Sequence, residues 1–392
     1  MSLRVLHAVR SLRRETGGLA ETVRNLVAAQ RARGATVTIA SLDPADAVEA
    51  NLVVLGERSH GYGYAPRYVP WLRAHAGDFD FIAVHGLWQY QSFGAWRALR
   101  GGVTPYAVFC HGMLDPWFKR AHPLKHAKKW CYWPWAEYRA LRDAAAVCFA
   151  VDEERRLARE SFRLYRVRER VVPIGIPGPP GEPEAECEIF FTAHPELRGK
   201  KFLLFLARLH PKKAIELLLA GYAAAWPGGA GAPVLVIAGP CDDETYLDRL
   251  KGEAARRGIA GAVCWLPMLT GGAKWGALRA CEAFALFSHQ ENFGVAVVEA
   301  LACARPVLLS EPINISRMIA MDGAGLVVPD TIAGASDALR RWRDLPAEKR
   351  RAMGAAAQAC FEKRFAVARA AEAFATLAAE LKPVAGRGGP RA

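Results

Sequence analysis

FSHQENFGVAVVEALACARPVLLS, from Phe287 to Ser310, is the stretch on which the fold turns. Its two glutamates, Glu291 and Glu299, have seven residues between them. Asn292-Phe293-Gly294 reads as a turn, and Gly294 lets backbone come close to a ligand. From Val295 the run Val-Ala-Val-Val-Glu-Ala-Leu-Ala-Cys-Ala predicts a short buried helix. Pro306 stops it, and Pro306–Ser310 predicts a buried strand. Glu291 then sits in a loop at a helix mouth and Glu299 about a turn inside. Free N–H groups at such a mouth favour an anion such as a phosphate. Carboxylates beside it bind phosphate poorly but accept well from hydroxyls. The pattern fits a phosphorylated, hydroxyl-rich ligand; the alternative is a solvated loop Glu and a helix Glu that caps a neighbour.

Upstream of this stretch, Lys201–Ala207 reads as a strand that empties into Arg208-Leu209-His210-Pro211-Lys212-Lys213 and then a helix. Arg-x4-Lys at a helix N-terminus concentrates positive charge where a diphosphate would be stabilised, above all as a leaving group. The alternative is a solvated basic loop. Val234–Pro240 and Cys264–Pro267 read as further strands. Pro177–Pro195, rich in Pro and Gly, is the clearest break in composition and reads as a hinge.

The first half opens with a strand over Leu3–Val9 and a helix beginning near Gly17-Gly18, small residues that leave room for a phosphate. Two strands, Phe81–Trp88 and Tyr106–Gly112, each carry a His-Gly at the end, His85-Gly86 and His111-Gly112. In an open parallel sheet, ligands bind at the carboxyl ends of strands. His85 reads as a turn cap. Asp115 reads either as an acceptor-orienting group or as the cap of the next helix. Trp117–Arg142 interleaves Lys and Arg with Trp, Phe and Tyr, a composition that suits a bilayer interface with anionic lipid. An ordinary solvated helix face over a Trp-rich core is the alternative.

At 392 residues, with 52% hydrophobic and 23% charged residues, the chain has room for two globular domains. No apolar run is long enough to cross a bilayer. Met1–Val9 is too short and broken for a signal peptide and reads as a strand. The nine cysteines show no C-x-x-C spacing, which implies reduced thiols in a cytoplasm and no zinc. A net charge of +13 calls for an anionic partner. No zinc-finger, RRM or basic-helix pattern favours nucleic acid.

E-x7-E, with the second Glu opening Glu299-Ala-Leu-Ala-Cys-Ala-Arg-Pro-Val307, resembles the signature of the family 4 retaining glycosyltransferases. The resemblance covers nearly the whole chain and implies an α/β GT-B fold, two Rossmann-like domains with parallel sheets facing an interdomain cleft. It implies an acceptor-binding domain over 1–176, a hinge over 177–195 and a nucleotide-sugar domain over 196–354. A helix over 355–382 would cross back to the first domain, leaving a disordered tail over 383–392. By resemblance the catalytic set is His111, Glu291, Arg208 and Lys213. Glu291 and His111 would contact the transferred sugar, Arg208 and Lys213 would clamp the diphosphate, and Glu299 would bind the ribose. Gly17 and Gly18 would border the diphosphate and acceptor. Asn292, Phe293, Gly294 and Val295 would line the donor, and Leu266 would hold the base through its main chain. No metal or other cofactor is implied. The partners implied are a UDP- or GDP-sugar donor and a saccharide or lipid-linked acceptor. Residues 117–142 would dock on the inner membrane face, and cell-surface polysaccharide would be the product. The chain departs from the family in Ala214 and Ala304, where Gly is usual, in Ile174 for Asn and in Pro267 for Gly. Two other classes stay open on the residues alone. One is a Rossmann oxidoreductase, which would want a G-x-G-x-x-G after the first strand. The other is a non-catalytic scaffold for membrane or anionic polymer.

Overall fold

The computed structural model describes residues 2–13, 18–46, 49–58, 61–229 and 231–382. The chain divides into two compact units, Met1–Gly175 with Val367–Ala392, and Ile176–Ala366.

The first unit is built on a seven-stranded sheet. Its strands are β1 Arg4–Val9, β2 Thr36–Ser41, β3 Leu52–Val54, β4 Phe81–His85, β5 Tyr106–Phe109, β6 Ala146–Phe149 and β7 Glu169–Val171. The order is β3-β2-β1-β4-β5-β6-β7 and every pairing is parallel. The central strands are continuous apolar runs because helices cover both faces. On one face, Val5, Phe81, Ala83, Ala107 and Phe109 pack with Leu26 of the helix Gly18–Ala32 and with Phe374 and Leu377 of Val367–Leu381. The last helix is thus part of this unit's core. The other face buries Ile82, Val84, Val108, Trp133 and Phe162.

The second unit repeats the plan with six strands, β8 Phe202–Leu206, β9 Val234–Ala238, β10 Val263–Leu266, β11 Ala283–Leu286, β12 Val307–Ser310 and β13 Gly325–Val328. Their order is β10-β9-β8-β11-β12-β13, again all parallel. In both sheets the strand order reverses beside the first strand, between β1 and β4 and between β8 and β11. Such switch points open a crevice at the carboxyl ends of the strands.

The stretch 177–195, expected as a hinge, is helical over Pro183–Ala193 and packs inside the second unit. Pro183 starts that helix at a position whose missing N–H costs nothing. Phe190 is buried, and Glu186 pairs with Arg279 of the helix Gly271–Ala280.

The two alanines that replace expected glycines both take left-handed backbone, Ala214 at φ 48° and Ala304 at φ 56°. Ala304 joins the helix Val295–Ala302 to β12. Left-handed backbone costs a residue with a Cβ roughly 1–2 kcal/mol, whereas Gly forfeits roughly 0.4–1 kcal/mol of extra chain entropy. Ala304→Gly is therefore expected to raise unfolding stability by about 0.5 kcal/mol, read as a higher denaturant midpoint at unchanged slope. A lower midpoint would show that the turn is not strained.

Candidate functional site

In the second unit, the loops after β8 and β11 lie either side of the switch point, and the topology brings their side chains together. Pro211–Lys213 forms a single tight turn after β8. His210 holds it, its Nδ1 accepting from the Lys212 N–H at 3.1 Å and its carbonyl from the Lys213 N–H at 2.8 Å. Burial first, then the cations Arg208, Lys212 and Lys213, pushes the His210 pKa down, which suits this accepting role. The His289 N–H donates to the Lys212 carbonyl at 3.0 Å and ties the two loops.

The outcome is a direct ion pair between Lys213 Nζ and the Glu291 carboxylate, both side chains 18% exposed. Arg208 is well exposed on the same loop, 4.0 Å from Asp242. Glu291 is fixed through its backbone: its N–H donates to the Pro312 carbonyl at 3.2 Å, and its carbonyl accepts from the Asn314 N–H at 3.0 Å. The buried Asn314 also donates its side-chain amide to Asn292 Oδ1 at 3.1 Å.

Gly294 begins the helix Val295–Ala302 at φ 70°. Among the described residues no side chain caps that helix end, so Val295 opens it with its N-terminus available to an anion. Phe293 is buried, its ring 5.8 Å from Phe365. Glu299 is buried inside the helix, and its Oε1 accepts from Lys274 Nζ at 2.5 Å. Leu266 ends β10, and its carbonyl accepts from the Gly239 N–H at 3.2 Å.

In the first unit, His111 follows β5 with φ 49° and is half-buried. Glu154 shapes its turn: Oε1 accepts from the Gly112 N–H at 2.5 Å and Oε2 from the Ala150 N–H at 2.6 Å. His85 does not cap a turn. It is buried, with Nδ1 3.0 Å from His111 Nε2. Burial holds the His111 pKa down to about 4, so the ring is neutral at pH 7. Asp115 Oδ1 accepts from the Trp117 N–H at 2.8 Å. Gly18 is the exposed first residue of the helix Gly18–Ala32, and Gly17 lies outside the described residues.

The residues that sequence reasoning missed are the partners. Lys274, Asn314 and Glu154 carry no local motif. Only the sheet order puts them next to residues that do.

The chain matches the family described as "Glycosyl transferases group 1" over residues 188–359 and the "Glycosyl transferase 4-like domain" over residues 17–175. The D-inositol 3-phosphate glycosyltransferase of Actinosynnema mirum is 33% identical over 147 residues, 36% of this chain and 33% of that protein. That of Kineococcus radiotolerans is 29% identical over 241 residues, 56% of this chain and 54% of that protein. The chain thus spans about a third to a half of the length of these curated relatives. Among solved structures, Anabaena HepE in complex with UDP superimposes with a TM-score of 0.75 at 17% identity, over 96% of this chain and 100% of that one. WaaG, a glycosyltransferase involved in lipopolysaccharide biosynthesis, does so with a TM-score of 0.66 at 14% identity, over 98% and 100%. The two parallel-sheet units are those of the GT-B fold. The second unit thus carries a glycosyl transferases group 1 domain and the first a glycosyl transferase 4-like domain.

Proposed function

We propose that the protein transfers a sugar from a UDP- or GDP-sugar to an acceptor hydroxyl with retention at the anomeric carbon. The observation that carries this reading is the contact of the Lys213 ammonium with the Glu291 carboxylate at the switch point of the second unit. One cation and one acid at the same strand ends suit the two halves of a nucleotide sugar. Lys213 and Arg208 take the diphosphate, and Glu291, released from its pair, accepts from sugar hydroxyls. The helix starts at Ile215 and Val295 add their positive dipole ends to the departing diphosphate. Glu299 accepts from the ribose while Lys274 keeps its charge balanced. His111 contacts the sugar, and a diphosphate oxygen takes the proton from the attacking hydroxyl. Neighbours of this fold captured with UDP and glucose, and with UDP-2-fluoro glucose, support the donor class.

The reading is tested by incubating the protein with UDP- and GDP-hexoses and a saccharide acceptor and recording the product by NMR. A product with the donor's anomeric configuration is expected; an inverted product removes the retaining mechanism.

The acceptor fits a lipid-linked saccharide of cell-surface polysaccharide synthesis, met at the cytoplasmic face of a membrane. Residues 117–142 divide into an inner and an outer set. Trp133 and Tyr138 are core, whereas Leu124 is 87% exposed and Trp135 68% exposed, with Lys119, Arg120, Lys125 and Lys128 exposed near them in sequence. Exposed apolar groups among cations suit an anionic bilayer surface. Among the described residues no helix is long and apolar enough to cross a membrane. The protein is expected to sediment with anionic vesicles at low salt and not with neutral ones. Equal sedimentation with both would remove this part.

A further inference from the structure

Three histidines lie in a diagonal row beneath the helices Gly18–Ala32 and Val367–Leu381. His7 on β1 is level with Ala83 on β4, and His85 lies two residues beyond Ala83. His85 is level with Phe109 on β5, and His111 lies two residues beyond Phe109. The two-residue step puts the His7 and His85 rings on one face, and His111, past the end of β5, joins the row through its contact with His85. They join in a single hydrogen-bonded chain. Gln30 Oε1 is 2.8 Å from His7 Nε2, His7 Nδ1 is 2.8 Å from His85 Nε2, and His85 Nδ1 is 3.0 Å from His111 Nε2. His7, His85 and Gln30 are at most 4% exposed, and Phe374 stacks on His7 at 5.3 Å.

Proton counting leaves this chain few states. Each neutral ring carries one proton, and each N···N contact needs one. If His7 donates to Gln30, then His85 must donate to His7 and His111 must donate to His85. Nδ1 of His111 is then bare. If His7 instead donates to His85, every bond reverses and His111 Nδ1 carries the proton. Mixed arrangements set two protons face to face or leave a contact with none. Burial keeps the rings neutral, with the pKa of His7 lowered to about 4 and that of His85 well below its ordinary value.

We infer that Gln30, His7 and His85 are positioning residues that fix the tautomer of His111, Nε2 protonated and Nδ1 bare, so that it accepts from a ligand hydroxyl. With the Gln30 carbonyl oxygen toward His7 the chain runs in this sense, and the Gln30 amide nitrogen is then buried with no partner among the described residues. Among the described residues no partner occupies His111 Nδ1, and His111 is the ring in the row that keeps exposed surface. A carboxylate or carbonyl ligand would be repelled by the bare nitrogen; a sugar O–H would be held. That the hydroxyl belongs to a donor sugar rests on the proposed function, whereas the tautomer does not.

The test is 15N NMR of histidine-labelled full-length protein without any nucleotide sugar. His111 in the wild type is expected as the single Nε2–H tautomer. In Gln30→Met, which removes the amide at similar size, a mixture of both tautomers is expected. Transfer in that variant should fall about tenfold in kcat, the worth of one lost hydrogen bond. An Nδ1–H tautomer in the wild type overturns the inference, as does a His111 spectrum that Gln30→Met leaves unchanged. The wild-type spectrum alone decides if that variant does not fold. A protein that turns over no nucleotide sugar yet shows the expected tautomers would sink the proposed function and leave the histidine chain standing.

Discussion

Glu291→Ala is expected to lower sugar transfer by ~10²–10³-fold, the scale of losing one preorganised polar contact to the reacting group. Nucleotide affinity should hold or rise. In the free protein Glu291 neutralises Lys213 directly, so a diphosphate must compete with that carboxylate for the ammonium. Removing the acid leaves Lys213 open to the diphosphate and takes away only the sugar contact. The backbone around residue 291 is held by Pro312 and Asn314 and does not need the side chain, so the fold should persist. Turnover of the true donor near the wild-type rate would remove Glu291 from the site.

Lys213→Ala is expected to cost a similar ~10²–10³ in transfer, but with the opposite effect on binding. Here the diphosphate loses its cation and meets an unpaired Glu291. Like unit charges 4 Å apart at a protein surface repel by about 4 kcal/mol before screening. Nucleoside diphosphate affinity should therefore fall along with the rate. Because the two side chains touch, their effects on affinity should not add: Glu291→Ala should improve nucleotide binding more in the Lys213→Ala background, where it removes an unpaired repelling charge, than in the wild type. An equal change in both backgrounds would mean that the pair acts at separate places.

The parts of this site that could be read from the sequence are those where chemistry is local. Glu291, Gly294 and Glu299 fall on one turn and one helix, and Arg208 and Lys213 on one loop, so spacing alone fixes their relation. The strand assignments also follow from continuous apolar runs, which parallel sheets require. What spacing could not give is which loops meet. Lys213 touches Glu291 because β8 and β11 are neighbours at the switch point, a fact of sheet order. Lys274 neutralises Glu299 from a helix that precedes it by a strand and a turn. His7 is one polar residue in an otherwise apolar strand, and His85 reads from the sequence as a turn cap. Their roles appear only when β1, β4 and β5 are laid side by side. The helix Pro183–Ala193 was hidden by the prolines and glycines just before it, although Pro at a helix start is ordinary.

Calorimetric titration of the protein with UDP and with GDP, in the presence of EDTA, tests the central claim most directly. Wild-type protein is expected to bind one of them without metal, Lys213→Ala to bind it at least tenfold more weakly, and Glu291→Ala to bind it no more weakly than the wild type. Binding that needs a divalent cation, or that is indifferent to Lys213, would contradict a diphosphate site at the ends of β8 and β11.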